Sequence, residues 1–135
     1  MPEQADTGSM LGGFGIGVDI ESIDRLRKMD VDLRPSFMEK ILAVDEMQGL
    51  DTSVMDPDRQ VMSRFSAKEA IMKALSSTGI KNVHYHDIVI RHDEDGTPRV
   101  ELSHPRYKGI EVKLSVSHSA GLIIAFAIAT RGPFR

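Results

Sequence analysis

A chain of 135 residues with 41% hydrophobic and 27% charged side chains has the size and make-up of one globular domain. Its formal charge of -3 gives no field for nucleic acid, and the absence of cysteine removes disulfides and thiolate metal sites. No apolar run is long enough to span a bilayer and no basic flank precedes an apolar stretch at the N-terminus, so the chain reads as cytoplasmic, with no membrane partner.

Residues 1–13, MPEQADTGSMLGG, are polar and Gly-rich without a period, and read as a mobile leader ahead of one domain over 14–135. In FGIGVDI, Phe14, Ile16, Val18 and Ile20 alternate with Gly15, Gly17 and Asp19, the pattern of a half-buried strand with Asp19 on its glycine side. Ile23, Leu26 and Met29 follow at helical spacing, with Asp24, Arg25, Arg27 and Lys28 outside, which predicts a short helix just after Asp19. Pro35 and SFMEKILAVDEM predict a second short helix, and LDTSVMDPDRQ a loop or helix start. RFSAKEAIMKAL, residues 64–75, belongs to a long helix that stops at Ser77-Thr78-Gly79. On it Ala67, Ala70, Ile71, Ala74 and Leu75 form a broad apolar stripe with Phe65 and Met72 beside it, so that Glu69 and Lys73 share a narrow polar wedge. The last third changes period: HDIVIRH, RVEL, EVKLSVSH and LIIAFAIA read as strands, with tight turns at Asp95-Gly96 and Ser119-Ala120-Gly121. Helices followed by an antiparallel run of strands make the class α+β.

Polar groups converge in three places. Asp19 reads either as the N-cap of the following helix or as a cation ligand, since Gly15 and Gly17 on its face let a ligand or another backbone approach closely. Glu69 and Lys73 read either as an i to i+4 ion pair or as the rim of a partly dry cleft, where a carboxylate can hold a metal and an ammonium can meet a phosphate. His118, at a strand end after Ser117, reads either as a structural hydrogen-bonder or as part of a site. No G-x-S-x-G elbow accompanies it, so a serine hydrolase is not indicated. His84, His86, His92 and His104 read as surface side chains.

Taken in order, GIGVDIESIDR, RFSAKEAIMKAL and SVSHSAGLIIAFAIA resemble the signature blocks of the holo-acyl-carrier-protein synthases, the small 4'-phosphopantetheinyl transferases. Phe37, Lys40, Ile41, Leu42 and Glu46 match the family's second helix, and Asp87-Ile88 with Asp95-Gly96-Thr97-Pro98 its hairpin, so the likeness runs from residue 14 to 129. The resemblance implies helices packed on an antiparallel sheet, a homotrimer, and transfer of the phosphopantetheine arm of coenzyme A to a serine of an acyl carrier protein, with release of adenosine 3',5'-bisphosphate. By matching positions, Asp19 and Glu69 would hold Mg²⁺ against the pyrophosphate, and Lys73 would stabilise the phosphate being displaced. The base is either Glu69 or a metal-bound water. Arg64 and His118, with Ser117 nearby, would line the coenzyme A pocket, and Arg25 would dock the acidic carrier. In larger two-half relatives the site lies between the halves. The same logic has Asp19, Glu69 and Lys73 of one subunit meet His118 of the next, with the rim near Phe65 and Met72 covered by that neighbour. The departures are Ser119-Ala120-Gly121-Leu122 after His118 and Ala43 in place of a small hydroxyl residue. Two other readings share the motifs: a non-catalytic coenzyme A or carrier-binding module, and a broader transferase serving polyketide or peptide carriers.

Overall fold

A computed structural model describes residues 13–50 and 56–132. The expected leader up to residue 12 and part of LDTSVMDPDRQ lie outside the described residues. The chain begins with strand β1 (Phe14–Ser22), which turns at once into helix α1 (Asp24–Arg27). Two more short helices follow, α2 (Arg34–Ile41) and α3 (Val44–Gln48), and then the long helix α4 (Pro57–Ser77). A hairpin of β2 (Ile88–His92) and β3 (Pro98–Leu102) leads to the long pair β4 (Ile110–Ser119) and β5 (Leu122–Arg131). The class is α+β, with all strand pairs antiparallel.

β5 lies in the middle of a three-stranded sheet, between β1 and β4, while among the described residues β2 and β3 pair only with each other. The tight turn between β4 and β5 is closed by Ala120 and Gly121, both at positive φ. Because β1 pairs with β5 as far as Ser22 opposite Leu122, the strand continues past Asp19 and the helix starts only at Asp24. Ile23 occupies the cap position, so Asp19 is not an N-cap. The expected second helix is two, broken at Leu42 and Ala43, which are extended. Lys68 of α4 binds the Ile41 carbonyl at 2.6 Å and the Glu46 carboxylate takes the Ala43 amide at 2.9 Å, so side chains satisfy the backbone groups freed by the break. Asp56 caps α4 through the Asp58 amide, and Thr78 followed by Gly79 at positive φ ends it.

The helix α4 lies on one face of the sheet. Its Ala67, Ala70, Ile71, Ala74 and Leu75 bury against Ala125, Ala127 and Ala129 of β5 and Ile88 and Ile90 of β2, as the apolar stripe requires. β1 is half buried, but its buried side is the glycine side. A Cβ at Gly15 would meet the Ala74 carbonyl at 2.0 Å and one at Gly17 the Ala70 carbonyl at 2.0 Å, so the close approach that the glycines permit is to the backbone of α4. The apolar alternates face outward instead. Phe14, Ile16, Val18 and Ile20 of β1, with Leu122, Ile124 and Phe126 of β5, are each between 41% and 57% exposed and form one contiguous sheet face. Phe65, by contrast, is buried among Phe37, Tyr85 and Arg25 of its own chain, and Met72 is half buried against the core. Of the rim expected to need a neighbour, Phe65 is therefore covered from within.

Candidate active site

Asp19 points from β1 toward α4, its side chain 11% exposed. The Ser66 hydroxyl donates to its carbonyl at 3.3 Å, fixing strand to helix. Lys73 reaches across from α4, with Nζ 2.9 Å from the Val18 carbonyl and 3.4 Å from Asp19 Oδ1. Asp19 Oδ2 is buried and has no hydrogen-bond partner. Glu69, one turn before Lys73, accepts a 2.6 Å hydrogen bond from the Tyr85 hydroxyl. The i to i+4 pair between Glu69 and Lys73 does not form among the described residues, because Lys73 turns to β1 and Glu69 to Tyr85. Glu21, two residues along β1 and on the same face as Asp19, joins the group unannounced by the sequence reading. Burial and the nearby Asp19 carboxylate hold its pKa above the usual carboxylate value, against the opposing bond from Arg25. Burial and then the Glu69 bond push the Tyr85 hydroxyl up, keeping it a donor.

Arg25 leans over the Phe65 ring, 4.8 Å from its centroid, and bonds Glu21 at 2.9 Å, while its side chain stays half exposed. Arg27 is taken up by Asp56 and Asp58, and Lys28 lies 3.8 Å from Asp24. The exposed side of α1 is thus largely self-neutralised, and Arg25 alone of the three sits beside the Asp19 cluster.

Arg64 and His118 are brought together elsewhere. At 100° per residue Arg64 stands about 140° from Glu69 and half a turn from Lys73, on the β4 side of α4. There it lines a cavity of about 400 Å³ with His118, His92, Ser63 and Gln60, over an apolar wall that includes Ile90, Pro98, Leu114 and Val116. The His118 side chain has no hydrogen bond among the described residues and faces the cavity. Asp19 pairs across β5 with the row of Val116, and His118 lies two residues further along the edge strand, about 12 Å away between α carbons. Ser117 does not join it. Alternation turns Ser117 to the outer sheet face, in the row of Ile124. Of the remaining histidines, His86 bonds the Glu39 carbonyl and His104 accepts from the Arg106 amide, whereas His92 lines the cavity, which its place in a surface strand did not announce.

The structure therefore holds two clusters of polar side chains on opposite flanks of one helix. One is carboxylate-rich with an ammonium, the other cationic and apolar.

Comparison with known proteins matches residues 15–127 to the family model of the 4'-phosphopantetheinyl transferase superfamily. The chain is 38% identical to a holo-[acyl-carrier-protein] synthase of Chlorobaculum tepidum, over 84% of this chain and 95% of that one. It is 37% identical to a protein of the same name from Caldanaerobacter subterraneus subsp. tengcongensis, over 87% and 94% of the two chains. Among solved structures, the Helicobacter pylori holo-[acyl-carrier-protein] synthase in complex with coenzyme A superposes with a TM-score of 0.71 at 30% identity, covering 85% of this chain and 99% of that one.

Proposed function

This chain belongs to the holo-[acyl-carrier-protein] synthases of the 4'-phosphopantetheinyl transferase superfamily and moves the phosphopantetheine arm of coenzyme A to a serine of an acyl carrier protein, and we propose that Asp19, Glu69 and Lys73 are its chemical centre. The observation that carries the assignment is the Asp19 carboxylate, held beside Lys73 with one buried oxygen that no protein group satisfies. A buried carboxylate oxygen left without a partner is suited to a hard cation. Among the described residues no group of three or more His, Cys, Asp or Glu side chains is arranged to hold a metal. The donors we propose, Asp19 and Glu69, are a pair, and two carboxylates would suit Mg²⁺ because that ion keeps several waters. Bound there, Mg²⁺ supplies positive charge against the pyrophosphate oxygens of coenzyme A.

The chain's own groups then have separable tasks. The serine hydroxyl of the carrier attacks the phosphorus that carries the pantetheine arm, and the bond from that phosphorus to the bridging oxygen breaks, leaving adenosine 3',5'-bisphosphate. Lys73, steadied by the Val18 carbonyl, presents its ammonium to the charge that grows on this leaving group. Glu69, oriented by Tyr85 through one oxygen, keeps the other for the cation or for the serine proton. Arg64 and His118 take the nucleotide end of coenzyme A in the cavity on the far flank of α4, its apolar wall receiving the flat base. Arg25, at the edge of the carboxylate cluster, meets the acidic carrier.

The outward apolar face of β1 and β5 supports the expected homotrimer, since a lone chain rarely leaves such a continuous apolar surface in water. In the arrangement proposed, the carboxylate flank of one protomer would meet the cavity of the next, and the two clusters would complete each other between subunits. A cytoplasmic location and a place in fatty acid biosynthesis go with this activity.

The test of function is mass spectrometry of several apo carrier proteins incubated with the chain, coenzyme A and Mg²⁺. The arm on the carrier serine is the expected product. Carriers that bind tightly but stay unmodified would instead make the chain a binding module.

A further inference from the structure

Glu46 is 3% exposed and Lys68 is 0% exposed, and neither is used by the transfer chemistry. The Lys68 ammonium has three donors, and three acceptors meet them: Glu46 Oε1 at 2.5 Å, the Ile41 carbonyl at 2.6 Å and the Tyr85 carbonyl at 3.0 Å. Glu46 Oε2 accepts from the Ile90 amide at 3.1 Å and faces Arg64 Nε at 3.9 Å. Arg64 itself is held loosely. Among the described residues its one side-chain hydrogen bond, from Nη1 to the Gln60 carbonyl, is 3.4 Å long, and its buried Nε has no hydrogen-bond partner.

A buried ion pair contributes little net stability compared with well-packed apolar residues of the same volume, so its presence asks for another reason. Had Glu46 faced Arg64 alone, carboxylate and guanidinium would close into a bidentate pair, and the donors of Arg64 would be occupied. Lys68 prevents this by drawing Oε1 to itself while the Ile90 amide draws Oε2, which leaves the guanidinium oriented by a negative charge yet uncommitted. We infer that Glu46 and Lys68 are positioning residues that keep Arg64 poised on the wall of the cavity for a phosphate oxyanion of the nucleotide end of coenzyme A. The inference rests on the reading of that cavity as the coenzyme A pocket. Both residues act through Arg64 and touch no substrate. Burial lowers the pKa of Arg64 and of Lys68, with Glu46 opposing in each case, in keeping with one shared counter-charge.

The experiment measures KM for coenzyme A, KM for the carrier and kcat in Arg64→Ala, in the paired variant Glu46→Gln with Lys68→Met, and in the two combined. Removing both members of the pair leaves Arg64 as the one charge of the group, without the carboxylate that faces it, and circular dichroism checks the fold. Arg64→Ala should raise the coenzyme A KM about tenfold and the paired variant about fivefold, with carrier KM and kcat within about twofold of the parent. The combination should be no worse than Arg64→Ala alone, because the pair has nothing left to position. Where the paired variant does not fold, Glu46→Asp keeps the charge but withdraws it by one methylene, and should raise the coenzyme A KM about threefold. A folded paired or Glu46→Asp variant with unchanged coenzyme A KM overturns this inference while a raised KM in Arg64→Ala preserves the pocket. An effect spread equally over both substrates, or added in full to that of Arg64→Ala, makes the pair a purely structural knot. An unchanged KM in Arg64→Ala overturns the pocket and the inference together.

Discussion

Replacing Gly17 by Ala adds one methyl group and should damage both the fold and the site. The new Cβ would stand 2.0 Å from the Ala70 carbonyl, 2.7 Å from the Ala74 amide nitrogen and 2.9 Å from Lys73 Cβ. Ordinary contact begins near 3.4 Å, so strand and helix must part by about 1.4 Å. The two nearest atoms are helix backbone, which cannot rotate aside as a side-chain tip can. Overpacking of this kind costs about 3 kcal/mol, at the upper end of the usual range, and for a domain of this size should lower Tm by about 10 °C. The same displacement moves Asp19, two residues on, away from Lys73, whose contact with the Val18 carbonyl and Asp19 Oδ1 spans the seam being opened. A misplacement of about 1 Å in a transfer site can cost about a hundredfold in rate. Calorimetric melting beside a carrier-transfer assay at a temperature where the variant is folded separates the two effects. A variant that melts with the parent and keeps full activity would refute the claim that the glycine face of β1 rides on the backbone of α4.

Asp19→Asn should leave Tm within a few degrees but abolish Mn²⁺ binding, measured by calorimetry with Mn²⁺ as the probe, together with transfer; retained binding would remove Asp19 from the cation site. Arg25→Glu should raise the carrier KM strongly with little change for coenzyme A, and the effect should shrink with added salt, since exposed charges are screened over about 10 Å at 0.1 M. Equal damage to both substrates would place Arg25 in the active site or the fold, a real contest given its bond to Glu21. Phe126→Asp, on the outward face, should yield folded but dissociated and inactive protomers by light scattering, and an unchanged mass would free that face from any role in assembly.

Much of this architecture is legible in residue order because local periodicity and turn chemistry decide it. The alanine stripe of α4, its stop at Thr78 and Gly79, and the hairpin at Asp95-Gly96 are all local. The meeting of Asp19 with Lys73 is also legible, since alternation puts Asp19 on the glycine face of β1 and Lys73 lies on the polar wedge of the long helix. What periodicity cannot reveal is which face of a strand finds a partner. β1 shows the same alternation whether its apolar or its glycine side is covered, and only the backbone of α4 decides it. The break between α2 and α3 depends on Lys68, 27 residues from the Ile41 carbonyl that it satisfies, a distance no local pattern reports. Glu21 and His92 were likewise hidden, the first because it looks like an ordinary strand-end charge, the second because its place comes from a cavity lined by α4, β2, β3 and β4. Phe65 misled in the opposite sense, for an aromatic on a helix rim looks exposed until Phe37, Tyr85 and Arg25 close over it.

The separation of Asp19 and Lys73 from Arg64 and His118 by the width of α4 makes the shared site the central claim. Its direct measurement co-refolds two inactive variants, Asp19→Ala and His118→Ala, and assays carrier transfer by the mixed assembly. In a closed ring one kind of interface carries both lesions and another carries neither, so activity should return in proportion to the intact interfaces. Mixed assemblies that form, as judged by native mass spectrometry, yet remain inactive would mean that Asp19 and His118 act within one chain, and would contradict the account.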